Sequence, residues 1–347
     1  ATRIKDMVKR AVDLGMPAVA LTDHGYMYGV PELGLACDAI NHSTPEYKVW
    51  SHDKSFLEKG RRDELECPDQ ESDPRGYEQH MKDLAMWDEK GNIDELKPPL
   101  VIKPIFGCEV YFTPDGTLAR DRKPELYHMV LFAQNETGYV NLMQIVSEAA
   151  VQGFYYKPRV TLDNLQRHSE GIIASSACIA GIIPKCIDRG EMDTAIEWAE
   201  TFRDTFAPGN FYIEIQEHGI TTDSGITDEE LSKKLIAIAE QVGVKVIATN
   251  DFHYLTRDDA PIQDVMMCIG MNSKVDDPNR MRMQGSEFYM KTEEEMRALF
   301  PYCPEACDNT VELAEKCDVE LDWDSIILPN SVSYTHLRAH ETRHDLV

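Results

Sequence analysis

The sequence predicts an α/β fold, a parallel sheet or barrel with helices outside, on two observations. Short apolar runs of strand type alternate with amphipathic helical stretches along the chain, the pattern of repeated βα units. The side chains best suited to chemistry, His24, Glu109, His128, Asp251 and His253, fall at or near the ends of those apolar runs. In such folds the strand ends converge on one rim, so residues far apart in sequence come to share a site.

The elements follow in order. Ile4, Met7, Val8, Ala11 and Val12 recur at helical spacing, and Gly15 ends that helix. Ala18–Leu21 is a strand, followed at once by Thr22-Asp23-His24-Gly25. Pro31–Ile40 reads as a second helix with proline in its first turn. Residues 42–99 are polar and charged and carry Pro45, Pro68 and Pro74; they read as a surface insertion with a short helix around Glu78–Trp87. Val101–Phe112 is a strand whose later part holds Glu109, and Tyr127–Ala133 is a strand that opens beside His128. A helix over Thr137–Ala150 precedes a strand at Gly171–Ser176, which runs to Cys178. Helices near Ile179–Arg189 and Met192–Phe206, a strand at Phe211–Gln216 and a helix at Glu229–Val242 come next. The strand Val244–Thr249 leads directly into Asn250-Asp251-Phe252-His253. Helices near Ala260–Ile269, Glu293–Leu299 and Pro304–Lys316 complete the ordered part.

Composition narrows the classes. A chain of 347 residues with 42% hydrophobic content can bury a sizeable core in one or two domains. It contains no run of 18 apolar residues, so no membrane-spanning helix is expected. No secretory signal pattern is present, and the missing initiating Met suggests a fragment of something longer. The nine cysteines form no C-x-x-C pair, which fits a reduced cytoplasm. The net charge is −26 and Lys/Arg clusters are few, so charge alone does not favour tight binding to a phosphate backbone.

Each candidate site residue also has a plainer reading. Asp23-His24 alone is a turn in which Asp makes a local hydrogen bond. Asp251-x-His253 puts a carboxylate and an imidazole on one face if the chain stays extended, or else Asn250 or Asp251 caps a helix. Glu109 inside an apolar strand would be costly to bury unpaired, unless a salt bridge or an edge position accommodates it. His128 alone is a satisfied core histidine. Together they change the balance, because a cation near oxygen and nitrogen donors stabilises all of them at once. Such a donor set suits zinc, manganese or iron.

The same residues carry a family likeness. The stretches ALTDHGYMYGV, GCEVY, YHMVLFAQN, GFYYKPRV, SSACIAGIIP, FYIEIQEHG and VIATNDFHYL resemble the N-terminal polymerase-and-histidinol-phosphatase (PHP) domain of bacterial DNA polymerase III alpha subunits. The likeness, carried by seven motifs in one order, covers nearly all of residues 1–330 outside the 42–99 insertion. The resemblance implies a distorted seven-stranded β/α barrel followed by helices. It implies a site of up to nine ligands around three divalent ions, usually zinc or manganese. Matched by motif, His24, Glu109, His128, Cys178, Asp251 and His253 are metal ligands, and Asp23 supports them from behind. The family's opening H-x-H motif is missing here, so weaker metal binding than in an intact parent is expected.

The resemblance further implies a PHP domain at 1–270 lacking its first strand, and a helical segment at 271–330 leading into an absent polymerase palm. Partners would be DNA, a proofreading exonuclease subunit and the sliding clamp. Some family members hydrolyse DNA 3′–5′ in this domain; in others it is inactive and docks a separate exonuclease. A free-standing phosphatase is the alternative. Lys157 and Arg159 could steer DNA or could simply belong to a solvated loop. The H-E-x-x-H run at His340–His344 matches a zinc-protease motif, but it lacks a third ligand and an apolar helix. Residues 331–347 resemble a translated sequencing adapter and are set aside.

Overall fold

The structure, a computed structural model, describes residues 2–63, 69–90, 93–116, 118–120 and 124–323. The tail at 331–347, its H-E-x-x-H run and the last residues of the 271–330 segment lie outside the described residues. Among those described, no helix is long and apolar enough to cross a membrane.

Seven strands form one curled sheet: β1 (Ala18–Leu21), β2 (Lys103–Phe112), β3 (Tyr127–Ala133), β4 (Arg159–Val160), β5 (Ile172–Ser175), β6 (Phe211–Ile215) and β7 (Lys245–Ala248). Their order is β1-β2-β3-β5-β6-β7, with β4 paired to the end of β2. The expectation of an all-parallel sheet needs one correction. β3 runs antiparallel to both β2 and β5, while the other pairings are parallel. A parallel pair needs a crossover, usually helical, and no helix is described between β2 and β3. The reversal puts the beginning of β3 beside the end of β2, so His128 stands on the same rim as Glu109; the paired residues there are Tyr111 with His128 and Glu109 with Val130.

The convex face of the sheet carries the larger core. Cys108, Val110 and Phe112 of β2, Met129 and Leu131 of β3, and Ile213 and Ile215 of β6 point there. Helices α5 (Glu136–Val151), α7 (Ile182–Asp188), α8 (Met192–Thr205) and α9 (Asp228–Val242) cover them. Local signals fix these helices: Asn135 caps α5 by accepting from Gly138 N, and Thr227 with Glu230 forms a capping box on α9. Helices α1 (Ile4–Asp13) and α2 (Val30–Asn41) pack on β1 and β2 through Met7, Val8, Val30, Leu33 and Phe106.

The concave face has two ends. Helix α12 (Glu305–Lys316) packs Leu313, Ala314 and the following Cys317 against Ile105, Tyr212 and Ile247, at the end where β2, β6 and β7 begin. Lys103 Nζ anchors it by donating to Ala314 O and Cys317 O. The opposite end is open and holds the candidate site. The remaining helices are α6 (Leu162–Arg167), α10 (Ala260–Gly270) and α11 (Glu293–Leu299).

The described part of residues 42–99 is more helical than its composition suggests. In place of one short helix the chain forms α3 (Pro45–Asp63) and α4 (Pro74–Lys90). Thr44 starts α3 by accepting from Tyr47 N, and Trp50 donates to Ile93 O while packing against Ile93 and Tyr47. A few apolar anchors hold this segment, so helical periodicity is weak in its sequence.

Candidate metal centre

The site is built where β1, β2, β3 and β5 end or begin together. Beyond Leu21 the chain keeps pairing with β2: Glu109 N donates to Asp23 O and Gly25 N donates to Glu109 O. This alignment sets His24 beside Glu109. Gly25 is required there, since its φ is +73° and a Cβ would lie 2.8 Å from Pro158 and 3.0 Å from Tyr111. Asp23 turns its carboxylate away to accept from Gly29 N at 3.0 Å, the local turn contact its residue type favours.

Glu109 is the centre of the arrangement. Its Oε1 lies 2.9 Å from His128 Nδ1 and 3.4 Å from His24 Nε2. Despite those distances, Oε1 is buried and no hydrogen bond of acceptable geometry reaches it. Cys178 Sγ stands 3.5 Å from His128 Nδ1. The ligand-type atoms of Glu109, His128 and Cys178 all fall within 4.8 Å of one another. A buried carboxylate oxygen, an imidazole nitrogen and a sulfur that converge without a matched donor suit a divalent cation. Burial pushes the Glu109 pKa up, but the His128 imidazole beside it and the charges of His24 and His253 outweigh burial and hold the carboxyl below its usual range. Burial, with the charges of Glu109 and Asp251, drives the Cys178 thiol well above its usual value; a cation reverses that penalty by stabilising thiolate.

His24 is half exposed and forms the entry side, its ring 5.7 Å from that of His128 and 6.1 Å from that of His253. Asp251 and His253 enter on the loop after β7. The chain is not extended there, as the sequence reading required, because Asp251 has φ +41°. The two still lie close: His253 Nδ1 is 2.7 Å from Asp251 O and 3.8 Å from its carboxylate. Nor does Asn250 cap a helix. Its Nδ2 donates to Glu287 O and Tyr289 O, and its Oδ1 accepts from Lys291 Nζ at 3.1 Å. His253 N donates to Phe288 O at 2.8 Å. The His218 ring stacks 3.9 Å from Phe288 and its Nε2 meets Asn250 O. Segment 287–291 therefore clamps a loop whose backbone conformation is unfavourable by itself.

A cavity of about 660 Å³ lies within the curl, lined by His24, Glu109, Glu214, Asp251, His253 and Lys291 among others. Glu214 and Lys291 were not singled out from the sequence, and Asn250 only as a helix cap. Glu214 carried a signal, a lone acid in the apolar run FYIEIQ; the Asn250 clamp depends on long-range contacts with no local signature. Arg159 corrects a further expectation. It is buried and donates to Gly153 O, Ala119 O and Leu118 O, so it braces a loop and does not steer DNA. Lys157 is exposed and lies 5.0 Å above the Tyr111 ring.

Comparison with known proteins agrees with this architecture. Residues 1–218 match the PHP domain family. The chain belongs to the PHP family. PHP domains bind divalent metals, and Glu109, His128 and Cys178 form a possible metal group in this one. A DNA polymerase III subunit alpha of Treponema pallidum is 32% identical over 332 residues, covering 95% of this chain and 23% of the relative. Its counterpart in Borreliella burgdorferi is 41% identical over 233 residues, 66% of this chain and 20% of the relative. That of Helicobacter pylori is 34% identical over 337 residues, 93% of this chain and 22% of the relative. The chain thus spans about a quarter or less of the length of these relatives.

Proposed function

We propose that this chain is the N-terminal PHP part of a bacterial replicative DNA polymerase, and that its open rim hydrolyses phosphodiesters at the 3′ end of DNA. The single observation behind the hydrolytic reading is the convergence of Glu109, His128 and Cys178 around a buried oxygen with no aligned donor. The polymerase reading rests on the named relatives, which match 95% and 93% of the chain. Polymerisation itself falls to parts of those longer chains outside this one. DNA, a proofreading subunit and the sliding clamp are the proposed partners, and the cytoplasm the proposed compartment.

Glu109, His128 and Cys178 would hold one divalent ion, zinc or manganese, and His24, Asp251 and His253 would add to a cluster that reaches up to three ions in an intact parent. A bound ion supplies Lewis acidity toward water and toward a phosphate oxygen. The protein's own part is to aim the ligands. Glu109 holds His24 and His128 together, the His253 Nδ1 contact with Asp251 O fixes its tautomer, and the Asn250 clamp keeps the Asp251 loop in place. Half-exposed His24 leaves the rim open to a strand end.

The test uses the purified chain with manganese or zinc and a 3′-labelled single-stranded oligonucleotide. Release of the 3′ nucleotide by the unsubstituted chain, lost in Asp251→Asn, is expected. Undiminished release by Asp251→Asn removes the assigned site. Metal binding without any release overturns the hydrolase reading in favour of a docking scaffold.

A further inference from the structure

Exposed aromatic rings stand on two segments that meet beside the candidate centre. Tyr28 is 83% exposed, Tyr156 66% and Phe154 47%. Scattered exposed apolar side chains need no explanation, but grouped ones mark contact surfaces. These come from two segments joined at the rim. The turn after His24 carries Tyr26 and Tyr28, whose rings stack 5.1 Å apart at 8°. The loop before β4 carries Phe154, Tyr156 and Lys157, and its Pro158 packs against Gly25. Tyr111 links both to the site: its ring lies 5.6 Å from that of His128 and beneath the Lys157 ammonium. Tyr156 also has φ +62°, within a turn closed by Tyr155 N donating to Lys157 O.

We infer that this rim is a stacking platform for the unpaired bases of a single-stranded DNA end, seating the strand whose terminal phosphodiester enters the centre. The inference rests on the phosphodiester reading above and names how its substrate is recognised. Charge separates stacking from backbone tracking. A net charge of −26 with few Lys/Arg clusters disfavours holding a strand by its phosphates alone. Ring faces bind every base irrespective of sequence, and each stacked base adds to affinity without a counterion. Lys157 supplies one local cation beside the rings. A duplex presents its bases already stacked on one another and has no free face to offer.

The experiment is fluorescence anisotropy of an end-labelled oligothymidylate with the 347-residue chain, in EDTA so that neither metal nor hydrolysis contributes. The double variant Tyr28→Ala/Tyr156→Ala should bind roughly tenfold more weakly or worse. Tyr28→Phe/Tyr156→Phe should bind like the unsubstituted chain, since the ring face is kept. An abasic strand of equal length and charge should bind as poorly as the alanine variant. The slope of log K against log salt should be shallower than about −1.4, the value for about two phosphate contacts at ~0.7 each. Equal affinity for the abasic strand, equal affinity for duplex, or an alanine variant that binds normally would each overturn the inference. Hydrolysis of a small chromogenic phosphodiester by the unsubstituted chain with manganese tests the catalytic reading separately. Its absence removes that reading and leaves the binding result to stand or fall by itself.

Discussion

Two carboxylates are buried in the same sheet to the same degree, Glu109 in β2 and Glu214 in β6, each 5% exposed. Their surroundings differ. Glu214 sits among neutral donors: Ser175 Oγ reaches Oε2, and Thr249 Oγ1 and Gln216 Nε2 reach Oε1 at 2.5 and 2.8 Å. Glu109 faces His128, His24 and Cys178, and its Oε1 has no aligned donor. The carboxyl groups respond in opposite directions. Burial raises the pKa of Glu214 despite its hydrogen bonds, whereas the imidazoles around Glu109 overcome burial and lower it. Burial therefore does not identify a ligand. What distinguishes Glu109 is that its neighbours are themselves metal donors, while those of Glu214 already satisfy it.

The sharpest way to break this contrast is to neutralise each acid in turn. Glu109→Gln should lose metal affinity by a factor on the order of 100 or more, measured by competition against a chelating dye. Glu214→Gln should bind metal within about threefold of the unsubstituted chain, because its neighbours are hydroxyl and amide groups that do not ligate zinc well. Equal losses in both variants would erase the distinction.

Metal removal should separate them again. A metal present at about 100 times its dissociation constant stabilises the folded state by about 2.7 kcal/mol. EDTA should therefore lower Tm by roughly 5–10 °C in the unsubstituted chain and in Glu214→Gln. Glu109→Gln should melt at the same temperature with and without EDTA, as followed by circular dichroism.

The Asn250 clamp gives a smaller effect that sharpens the comparison. Asn250→Ala leaves Tyr289 O without its donor, leaves Glu287 O with only Lys291 Nζ, and frees the Asp251 loop. A loss of about tenfold in metal affinity and about 1–3 kcal/mol in stability should follow, read by metal titration and urea unfolding. A stability loss with unchanged affinity would show that the loop does not reach the metal.

The smallest effect is a pH dependence at Glu214. Its folded pKa lies above the ordinary 4.5, so the folded state holds a proton that the unfolded state releases sooner. Stability from this group is fully present below pH 4.5 and is lost as pH rises through the folded value. Glu214→Gln mimics the protonated form. It should be more stable than the unsubstituted chain at pH 7 and lose that advantage below pH 4.5, in urea titrations across that range.

Much of this was legible in the sequence. The strand cores at Ala18–Leu21, Tyr127–Ala133 and Phe211–Gln216 announce themselves as apolar runs, and the His and acid positions mark their ends. The direction of β3 was less accessible, although the connection from β2 lacks a helical pattern. Glu109 and Glu214 present the same local signal, one acid in an apolar strand, and only the third dimension assigns them different neighbours. Arg159 looked like a surface cation beside Lys157, yet three backbone carbonyls 6 to 41 positions away bury it. The clamp from 287–291 to Asn250 joins segments about 40 residues apart through main-chain atoms, which no side-chain pattern records.

The most direct test of the Glu109–His128–Cys178 assignment is a cobalt(II) titration followed by absorption spectroscopy. The account predicts a near-ultraviolet thiolate-to-cobalt band in the unsubstituted chain, no such band in Cys178→Ser, and greatly weakened cobalt binding in Glu109→Gln. Cobalt bound without a thiolate band, or bound as tightly by Glu109→Gln as by the unsubstituted chain, would contradict it.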